Sequence, residues 1–229
     1  MTPELRLISS MATRQLLADL VARFAATSPQ KVSVESVGGV DAAKRVKAGE
    51  AFDGVILASN AIDDLIAAGK VVAGSRVDLV LSGVAIAVRA GAQRPDISTE
   101  EAVKRAVLAA PSLSYSTGPS GVALAALFDR WGIAGTIKPR IVQAPPGVPV
   151  GTLVARGEVE LGFQQLSELM HLPGIDVVGA LPAPVRIVTT FSGGICAAAK
   201  DPAGAAALLA YLASPATAKA KRLHGMEPA

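Results

Sequence analysis

The spacing of apolar residues predicts three strand–helix units in the first 70 residues. Short apolar runs indicate strands at residues 5–8, 31–36 and 53–58, and each run is followed by a segment with apolar residues at helical spacing. Strands that alternate with helices usually pair in parallel and are joined by right-handed crossovers. The pattern therefore predicts an α/β fold with a parallel sheet.

A second series of elements begins after a longer apolar run. Residues 77–88 carry no helix signal and predict a strand that crosses from one lobe to another. Beyond it, Ser98 is predicted to cap a helix, residues 112–121 to form a strand and a turn, and residues 139–142 and 160–163 to form strands. This order indicates a second α/β lobe.

Apolar segments near the C-terminus are predicted to return the chain to the first lobe. We expect strands at residues 185–190 and 191–199, followed by helices. A chain of 229 residues is long enough for two small lobes with separate cores. The predicted division is residues 1–83 with 190–229 as lobe one and residues 84–189 as lobe two.

The segment 112–121, SLSYSTGPSG, is the strongest candidate for a binding turn. It predicts a strand that runs into the first turn of a helix, where unpaired backbone N–H groups and the helix dipole favour an anion. Hydroxyl donors and small residues accompany it, namely Ser114, Ser116, Thr117, Gly118, Ser120 and Gly121. An ordinary helix cap is the alternative interpretation.

The same arrangement recurs after the first three predicted strands. Ser9 and Ser10 follow the first strand, Gly38 and Gly39 follow the second, and Ser59 follows the third. In open α/β sheets, ligands bind at the carboxyl ends of the strands. Each position is also explained by a helix cap or a tight turn.

Composition and motifs exclude several function classes. The net charge is +3 and no basic stripe is interleaved with aromatic residues, so we expect no nucleic-acid partner. We interpret the cluster Lys219, Lys221 and Arg222 as a solvated helix end. No nucleotide-binding glycine motif is present, so we expect no cofactor.

The residues that bind metals or act as nucleophiles are few. His171, His224 and Cys196 are too scattered for a zinc site, so we expect no metal. We place the two histidines at helix ends or in the core, and the cysteine in the core.

The apolar runs and the N-terminus bear on location. The longest apolar runs are shorter than a membrane span, so we expect no membrane insertion. Residues 1–4 lead directly into the first strand without a leader. As the sequence stands we expect a cytoplasmic protein, or a periplasmic one if a leader was removed.

Several segments resemble the molybdate-binding-protein family. They are AKRVKAGE at 43–50, DGVILAS at 53–59, PSG at 119–121 and RGEVELGF at 156–163. The resemblance covers most of the chain and implies the type II periplasmic-binding-protein fold, two α/β lobes with a ligand cleft between them. It also implies a small anion held by hydroxyls and backbone amides, and membrane subunits of an ABC-type uptake system as partners.

The resemblance assigns site residues and shows two departures. Ser10 or Ser9 matches the family's first serine, Ser120 matches an amide donor, and Val148 in the loop with Gly147 matches another. The family's serine-rich second turn is replaced here by Gly38, Gly39 and Val40, and its tyrosine is replaced by Gln165. The amides of Gln164 and Gln165 suit a carboxylate or a hydroxyl-bearing organic ligand as well as an inorganic oxyanion.

The chain is also similar to a group of aconitate isomerases related to these binding proteins. Such an enzyme needs a base near an acidic carbon and donors for carboxylates. Tyr115 is the candidate acid or base, and Arg14 is a candidate donor to a carboxylate. We therefore expect a solute-binding protein for a small anion. The alternatives are an intracellular isomerase of an unsaturated tricarboxylate and a cytoplasmic anion sensor.

Overall fold

The computed structural model describes residues 4–145 and 147–229. Residues 1–3, which precede the first predicted strand, and Pro146 lie outside the described residues. The chain divides into two compact units: Met1–Ser82 with Thr190–Ala229 (unit 1), and Gly83–Thr189 (unit 2). Unit 1 is therefore assembled from both ends of the chain, and unit 2 is continuous in sequence.

Unit 1 begins with three strands that alternate with helices. They are β1 (Leu5–Ser10), α1 (Arg14–Thr27), β2 (Val32–Val37), α2 (Gly39–Lys47), β3 (Gly54–Ala58) and α3 (Ser59–Ala67). A single 3-10 turn, Met11–Thr13, precedes α1. β1 pairs in parallel with both β2 and β3, which confirms the predicted parallel sheet.

A long strand, β4 (Val77–Arg89), begins in unit 1 and ends in unit 2. The elements that follow it in unit 2 are α4 (Glu100–Ala109), β5 (Leu113–Tyr115), α5 (Pro119–Arg130), α6 (Ala134–Ile137), α7 (Val150–Arg156), β6 (Leu161–Gln165), α8 (Leu166–Leu169) and β7 (Ile175–Ala180). The strand order in this unit is β7-β4-β6-β5. β5 and β6 are parallel, whereas β4 is antiparallel to β6 and β7.

The C-terminal segment completes unit 1. It consists of β8 (Val188–Ile195), α9 (Pro202–Ala213), α10 (Ala218–Leu223) and β9 (Met226–Pro228). β8 pairs antiparallel with β3, and β9 pairs antiparallel with the first half of β4. The unit 1 sheet thus combines a parallel start with antiparallel additions from the end of the chain.

Three local predictions were wrong. The two strands predicted at 185–190 and 191–199 are one continuous strand, β8. It begins only at Val188, because a 3-10 turn occupies Ala183–Val185. Residues 139–142 are not a strand. Pro139 sits in a 3-10 helix, and Ile141 makes only an isolated bridge. Thr99, rather than Ser98, caps α4 through a bond from the Ala102 N–H.

The side chains of β1 alternate between two apolar cores. Leu5 and Leu7 pack with α1 and α9, while Ile8 packs with α2 and α3 residues on the other face. Unit 2 has its own main core, in which Phe128 of α5 packs against Phe163 of β6 at a ring-centroid distance of 6.0 Å. Each helix layer is thereby held against its own sheet.

Asp53 connects three separate segments of unit 1. Its carboxylate accepts hydrogen bonds from the backbone N–H groups of Arg6 at 2.9 Å, Lys200 at 2.7 Å and Asp201 at 3.1 Å. Burial raises the pKa of Asp53, but these three donors outweigh burial and hold the pKa below its usual value. The ionised side chain therefore fixes β1 and the start of α9 to the beginning of β3.

Lys221 is buried, contrary to the interpretation of its cluster as a solvated helix end. It is 2% exposed and lines a small cavity with Leu16, Leu20 and Leu212, whereas Lys219 is exposed. Its side chain follows the apolar face of α10, and its long stem packs like an apolar residue. Within the described part of the chain its ammonium has no hydrogen bond or ion pair, and burial lowers its pKa.

Replacing Lys221 should stabilise the protein. We expect Lys221→Met to raise the free energy of unfolding at pH 7 by up to about 1 kcal/mol, because methionine fills the space of the lysine stem without the partly desolvated ammonium. Because the folded-state pKa lies below the unfolded value, wild-type stability should rise as the pH approaches the usual lysine value of 10.5. The variant should lose this rise. Chemical denaturation at several pH values measures both effects.

Lys219→Met is the matched control, since it changes an exposed lysine of the same helix. It should leave stability and its pH dependence nearly unchanged. A destabilised Lys221→Met variant would show that the ammonium makes a favourable interaction.

Candidate functional site

Three parallel strands of unit 1 end at one edge of the sheet, and a helix begins directly after each. The pairing aligns Ser10 with Val37 and Ser9 with Ile56, so the carboxyl ends of β1, β2 and β3 lie together. The following helical segments begin at Met11, Gly39 and Ser59. We call Ser10, Gly38, Gly39 and Ser59 the unit 1 edge. It brings together several unpaired backbone N–H groups.

The two serines at the end of β1 have different environments. Ser9 is fully buried, and its Oγ is 2.8 Å from the Oγ of Ser36 on β2. Ser10 is partly exposed and caps the 3-10 turn, since its Oγ accepts the Ala12 N–H at 3.3 Å. Of the two predicted residues, Ser10 is therefore the one with a hydroxyl at the edge.

Gly39 leaves room beside Ser10 for one carbon atom in ordinary van der Waals contact. A Cβ added at Gly39 would lie 3.8 Å from Ser10 Oγ and 4.0 Å from Leu57. Gly38 caps α2 without any side-chain hydrogen bond. A ligand atom therefore has room between the Ser10 hydroxyl and the first turn of α2, where a larger residue would intrude.

The weaker unit 1 candidates lie nearby in sequence. Ser59 is the first residue of α3 and is partly exposed, so it shares the edge with Ser10. Arg14 is exposed at the start of α1, and the described residues offer its guanidinium no hydrogen bond or ion pair.

In unit 2, the turn between β5 and α5 has the predicted form. Pro119 begins α5, and Ser116 Oγ lies 3.0 Å from Ser120 Oγ across the first turn. Ser120 is buried, and Thr117 is exposed. A Cβ at Gly121 would meet the Ser116 carbonyl oxygen at 1.6 Å, so only glycine allows this close return of the chain.

Gln165 ends β6, beside β5. Its Nε2 donates to Thr189 Oγ1 at 2.9 Å, and the side chain is 4% exposed. Its Oε1 is buried and has no partner among the described residues. We call Ser116, Thr117, Ser120 and Gln165 the unit 2 edge.

Gln164 is committed to contacts within unit 2. Its Oε1 accepts the Gly151 N–H in the first turn of α7 at 3.2 Å, and its Nε2 donates to Glu168 Oε1 at 2.8 Å. Both ends of the amide are therefore occupied. A ligand would have to break one of these bonds to use Gln164.

The half-buried Glu168 has a raised pKa. Burial raises its pKa from the usual 4.5 to about 7, and the hydrogen bond from Gln164 opposes part of that rise. Glu168 was not predicted as a site residue from the sequence. The only signal was its position four residues after Gln164, across the turn from β6 into α8. Thr189 had no such signal, because it meets Gln165 only through the folded sheet.

Two further candidates have other roles in the structure. The Val148 N–H, predicted to be an amide donor to the ligand, donates to the Pro145 carbonyl at 3.0 Å. Tyr115 packs edge-on against Phe128 at 5.8 Å. Burial and the charge of Asp129 raise the pKa of Tyr115, so its hydroxyl loses a proton less readily than a free tyrosine.

The remaining titratable candidates lie away from both edges in sequence. Cys196 is buried in the core of unit 1, as predicted, and burial, with a smaller effect of the Asp53 charge, raises its pKa to about 12. His224 ends α10 with its Nε2 3.3 Å from Asp19. Over residues 4–145 and 147–229, no group of three metal-binding side chains occurs. No helix in these ranges has the length and apolar character to cross a membrane.

Comparison with known proteins gives one family. Residues 5–227 match the family model of bacterial extracellular solute-binding proteins. The aconitate isomerase of a Pseudomonas species is 44% identical over 187 residues, which are 80% of this chain and 70% of that protein. The chain is thus similar to a named enzyme as well as to binding proteins.

Solved structures show the same fold. The periplasmic molybdate-binding protein of Azotobacter vinelandii gives a TM-score of 0.81 at 18% identity, covering 97% of this chain and 98% of that one. The sulfate-binding protein of Mycobacterium tuberculosis H37Rv gives 0.80 at 17% identity, covering 100% and 87%. These similarities confirm the predicted type II periplasmic-binding-protein fold.

Glu168 should make the stability of the protein depend on pH. Because its pKa is higher in the folded state than the usual 4.5, the stability it contributes is present below pH 4.5 and is lost as the pH rises to about 7. Glu168→Gln should remove this loss and stabilise the protein at pH 8 by about 1–3 kcal/mol. Urea denaturation between pH 5 and 8 measures the difference.

Glu160→Gln is the matched control, because Glu160 is exposed in the same unit. It should follow the wild-type pH dependence. An unchanged pH dependence in Glu168→Gln would mean that Glu168 is ionised in the folded protein throughout this range.

Proposed function

The chain belongs to the family of bacterial extracellular solute-binding proteins. We propose that it binds a small anion, specifically a short polycarboxylate, and that it serves an ABC-type uptake system. The main support is the unit 1 edge, where three helical segments begin beside the Ser10 hydroxyl and the room for one carbon atom at Gly39. Helix N-termini and hydroxyls bind anions through charge-assisted hydrogen bonds without a fixed positive charge.

The unit 2 edge supports the same proposal. The Ser116 and Ser120 hydroxyls stand at the start of a twelve-residue helix, and Gly121 allows the close turn there. We propose that each edge supplies hydrogen-bond donors to an anion of this class. In this proposal the ABC-transporter membrane subunits are the partners, and transport requires the periplasmic location rather than the cytoplasmic one.

A carboxylate is favoured over molybdate or sulfate by the residues present. Gly38, Gly39 and Gln165 supply no hydroxyl where the molybdate-binding-protein family has serines and a tyrosine. The relatives named for molybdate and sulfate are 18% and 17% identical, whereas the one named for aconitate is 44% identical. The third alternative, an anion sensor, has no observation in its favour.

We propose isomerisation of an unsaturated tricarboxylate such as aconitate as the second candidate function, on the strength of that 44% identity. Moving a double bond requires a group that takes a proton from an acidic carbon and donors that hold the carboxylates. Tyr115 and Glu168 are the candidate proton carriers of unit 2. Glu168 has the pKa better suited to neutral pH, about 7.

Binding is tested by thermal shift and calorimetry against citrate, the aconitates, succinate, sulfate, phosphate, molybdate and tungstate. A ligand at one hundred times its Kd should stabilise the protein by about 2.7 kcal/mol. We expect a polycarboxylate to give the largest shift. Gly39→Ala should weaken that ligand about tenfold, because the added methyl group occupies the space beside Ser10.

Gly135→Ala is the control, since a Cβ there meets nothing within 4 Å. It should leave the affinity unchanged and stabilise the protein by at most about 1 kcal/mol, because Gly135 lies in α6. A shift with molybdate or tungstate alone would contradict the carboxylate proposal. A panel with no shift at all would contradict anion binding.

Turnover distinguishes the two candidate functions. If the chain is an isomerase, cis- and trans-aconitate should interconvert, which ultraviolet absorbance follows directly. Tyr115→Phe and Glu168→Gln should then separate the proton carriers, since loss of the true one should reduce kcat by about 100-fold or more. Tight binding without turnover would support the solute-binding role.

A further inference from the structure

Gln165 carries an unpaired polar atom at the end of β6. Its Nε2 donates to Thr189, but its Oε1 has no hydrogen-bond partner in the part of the chain that the structure describes. The side chain is more than nine-tenths buried. A buried acceptor without a donor is unfavourable, and native proteins satisfy nearly all such atoms. The oxygen therefore marks a place where a donor is expected.

This oxygen belongs to a side chain on the face of the unit 2 sheet that α5 covers. Residues two apart on a strand point to the same face, so Gln165 shares the face of Phe163, which packs against Phe128 of α5. β5 and β6 are parallel with Tyr115 opposite Phe163. β5 ends at Tyr115, and the turn that leads into α5 follows at the same end of the sheet as Gln165. Gln165 and the α5 N-terminus therefore occupy one face and one end of the sheet.

Among the described residues of unit 2, the other buried side-chain atoms without a partner do not supply the donor. They are the hydroxyls of Ser114 and Ser167, and neither bonds to Gln165. Ser114 alternates with Leu113 and Tyr115 along β5 and so faces the opposite side of the sheet. An amide oxygen only accepts, so its partner must bring a hydrogen.

We propose that Gln165 Oε1 accepts a hydrogen bond from the ligand, and that the ligand is therefore a hydroxycarboxylate. The α5 N-terminus and the one hydroxyl of the Ser116–Ser120 pair that does not donate to the other offer donors to an ionised carboxylate. Gln165 offers the complementary acceptor to a hydroxyl. A fully ionised oxyanion would place lone pairs against Oε1. This inference rests on the first proposed function, solute binding, and narrows its ligand class to acids that carry a hydroxyl, which aconitate lacks.

The orientation of the Gln165 amide decides whether the site prefers a ligand with a hydroxyl or one without. If the amide were turned over, Thr189 would donate to Oε1 and the Nε2 hydrogens would face the ligand. The site would then favour an anion without a hydroxyl. A pair of ligands that differ only in one hydroxyl separates these two cases.

Citrate and tricarballylate are that pair, since tricarballylate is the same tricarboxylate without the hydroxyl. Isothermal titration at pH 8 keeps all carboxyl groups ionised. We expect wild-type protein to bind citrate at least about tenfold more tightly, because a buried acceptor rejects a ligand that cannot donate to it. Equal affinities, or tighter binding of tricarballylate, would overturn the inference.

Variants test whether Gln165 causes the preference for citrate over tricarballylate. Gln165→Met removes the acceptor at similar volume and should bring the two affinities within about twofold. Gln165→Glu keeps an acceptor and should weaken both ligands by charge repulsion while retaining the preference for citrate. Thr189→Ser, which keeps a hydroxyl as the partner of Nε2, is the control and should also retain the preference.

The outcomes keep this inference separate from the proposed function. Binding of both tricarboxylates with no preference would reject the role of Gln165 and leave carboxylate binding intact. Binding of neither would overturn this inference, and the wider ligand panel described above would then decide whether the proposed function stands. A preference for citrate that survives Gln165→Met would also overturn the inference. If that variant does not fold, the wild-type ligand pair and Gln165→Glu still decide.

Discussion

The parallel pairing of β1 with β2 and β3 determines where every candidate contact of unit 1 lies. Parallel strands end at the same edge, and here each end is followed within one residue by the start of a helical segment. This parallel pairing brings together the Ser10 hydroxyl, the Gly39 backbone and Ser59. A shift of the β1–β2 pairing by one residue would exchange Ser9 and Ser10 between the core and the edge.

Strand alternation gives adjacent glutamines opposite roles in unit 2. Gln164 points to the side of α7, where Gly151 and Glu168 use both ends of its amide. Gln165 points to the side of α5, where one end of its amide has no partner. Gln164 thus stabilises unit 2 through its internal hydrogen bonds, whereas Gln165 is a candidate ligand contact.

The sequence predicted the elements whose signals are local. Apolar periodicity and short connecting turns were sufficient for the units from β1 to α3 and for the turn before α5. Failures occurred where distant contacts decide. Lys219 and Lys221 look alike in sequence, yet only Lys221 falls on the face of α10 that packs on α1 and α9. Residues 139–142 are apolar enough for a strand but make only one bridge.

The candidate site was predictable to a similar extent. Serines and glycines at strand ends could be found from turn chemistry, so Ser10, Gly39, Ser116 and Ser120 were expected. Which hydroxyls are already paired could not be known, because the Ser9–Ser36 contact joins strands 27 residues apart. The partners of Gln164 and Gln165 depend on the folded sheet in the same way.

The three bonds to Asp53 have a consequence for how the chain is made. Its donors come from one residue near the N-terminus and from Lys200 and Asp201, which leave the ribosome after all of unit 2. Unit 2 is continuous and is available to fold during synthesis, whereas unit 1 must wait for β8, α9 and α10. The bonds from Lys200 and Asp201 to Asp53 therefore form only after unit 2 has been synthesised.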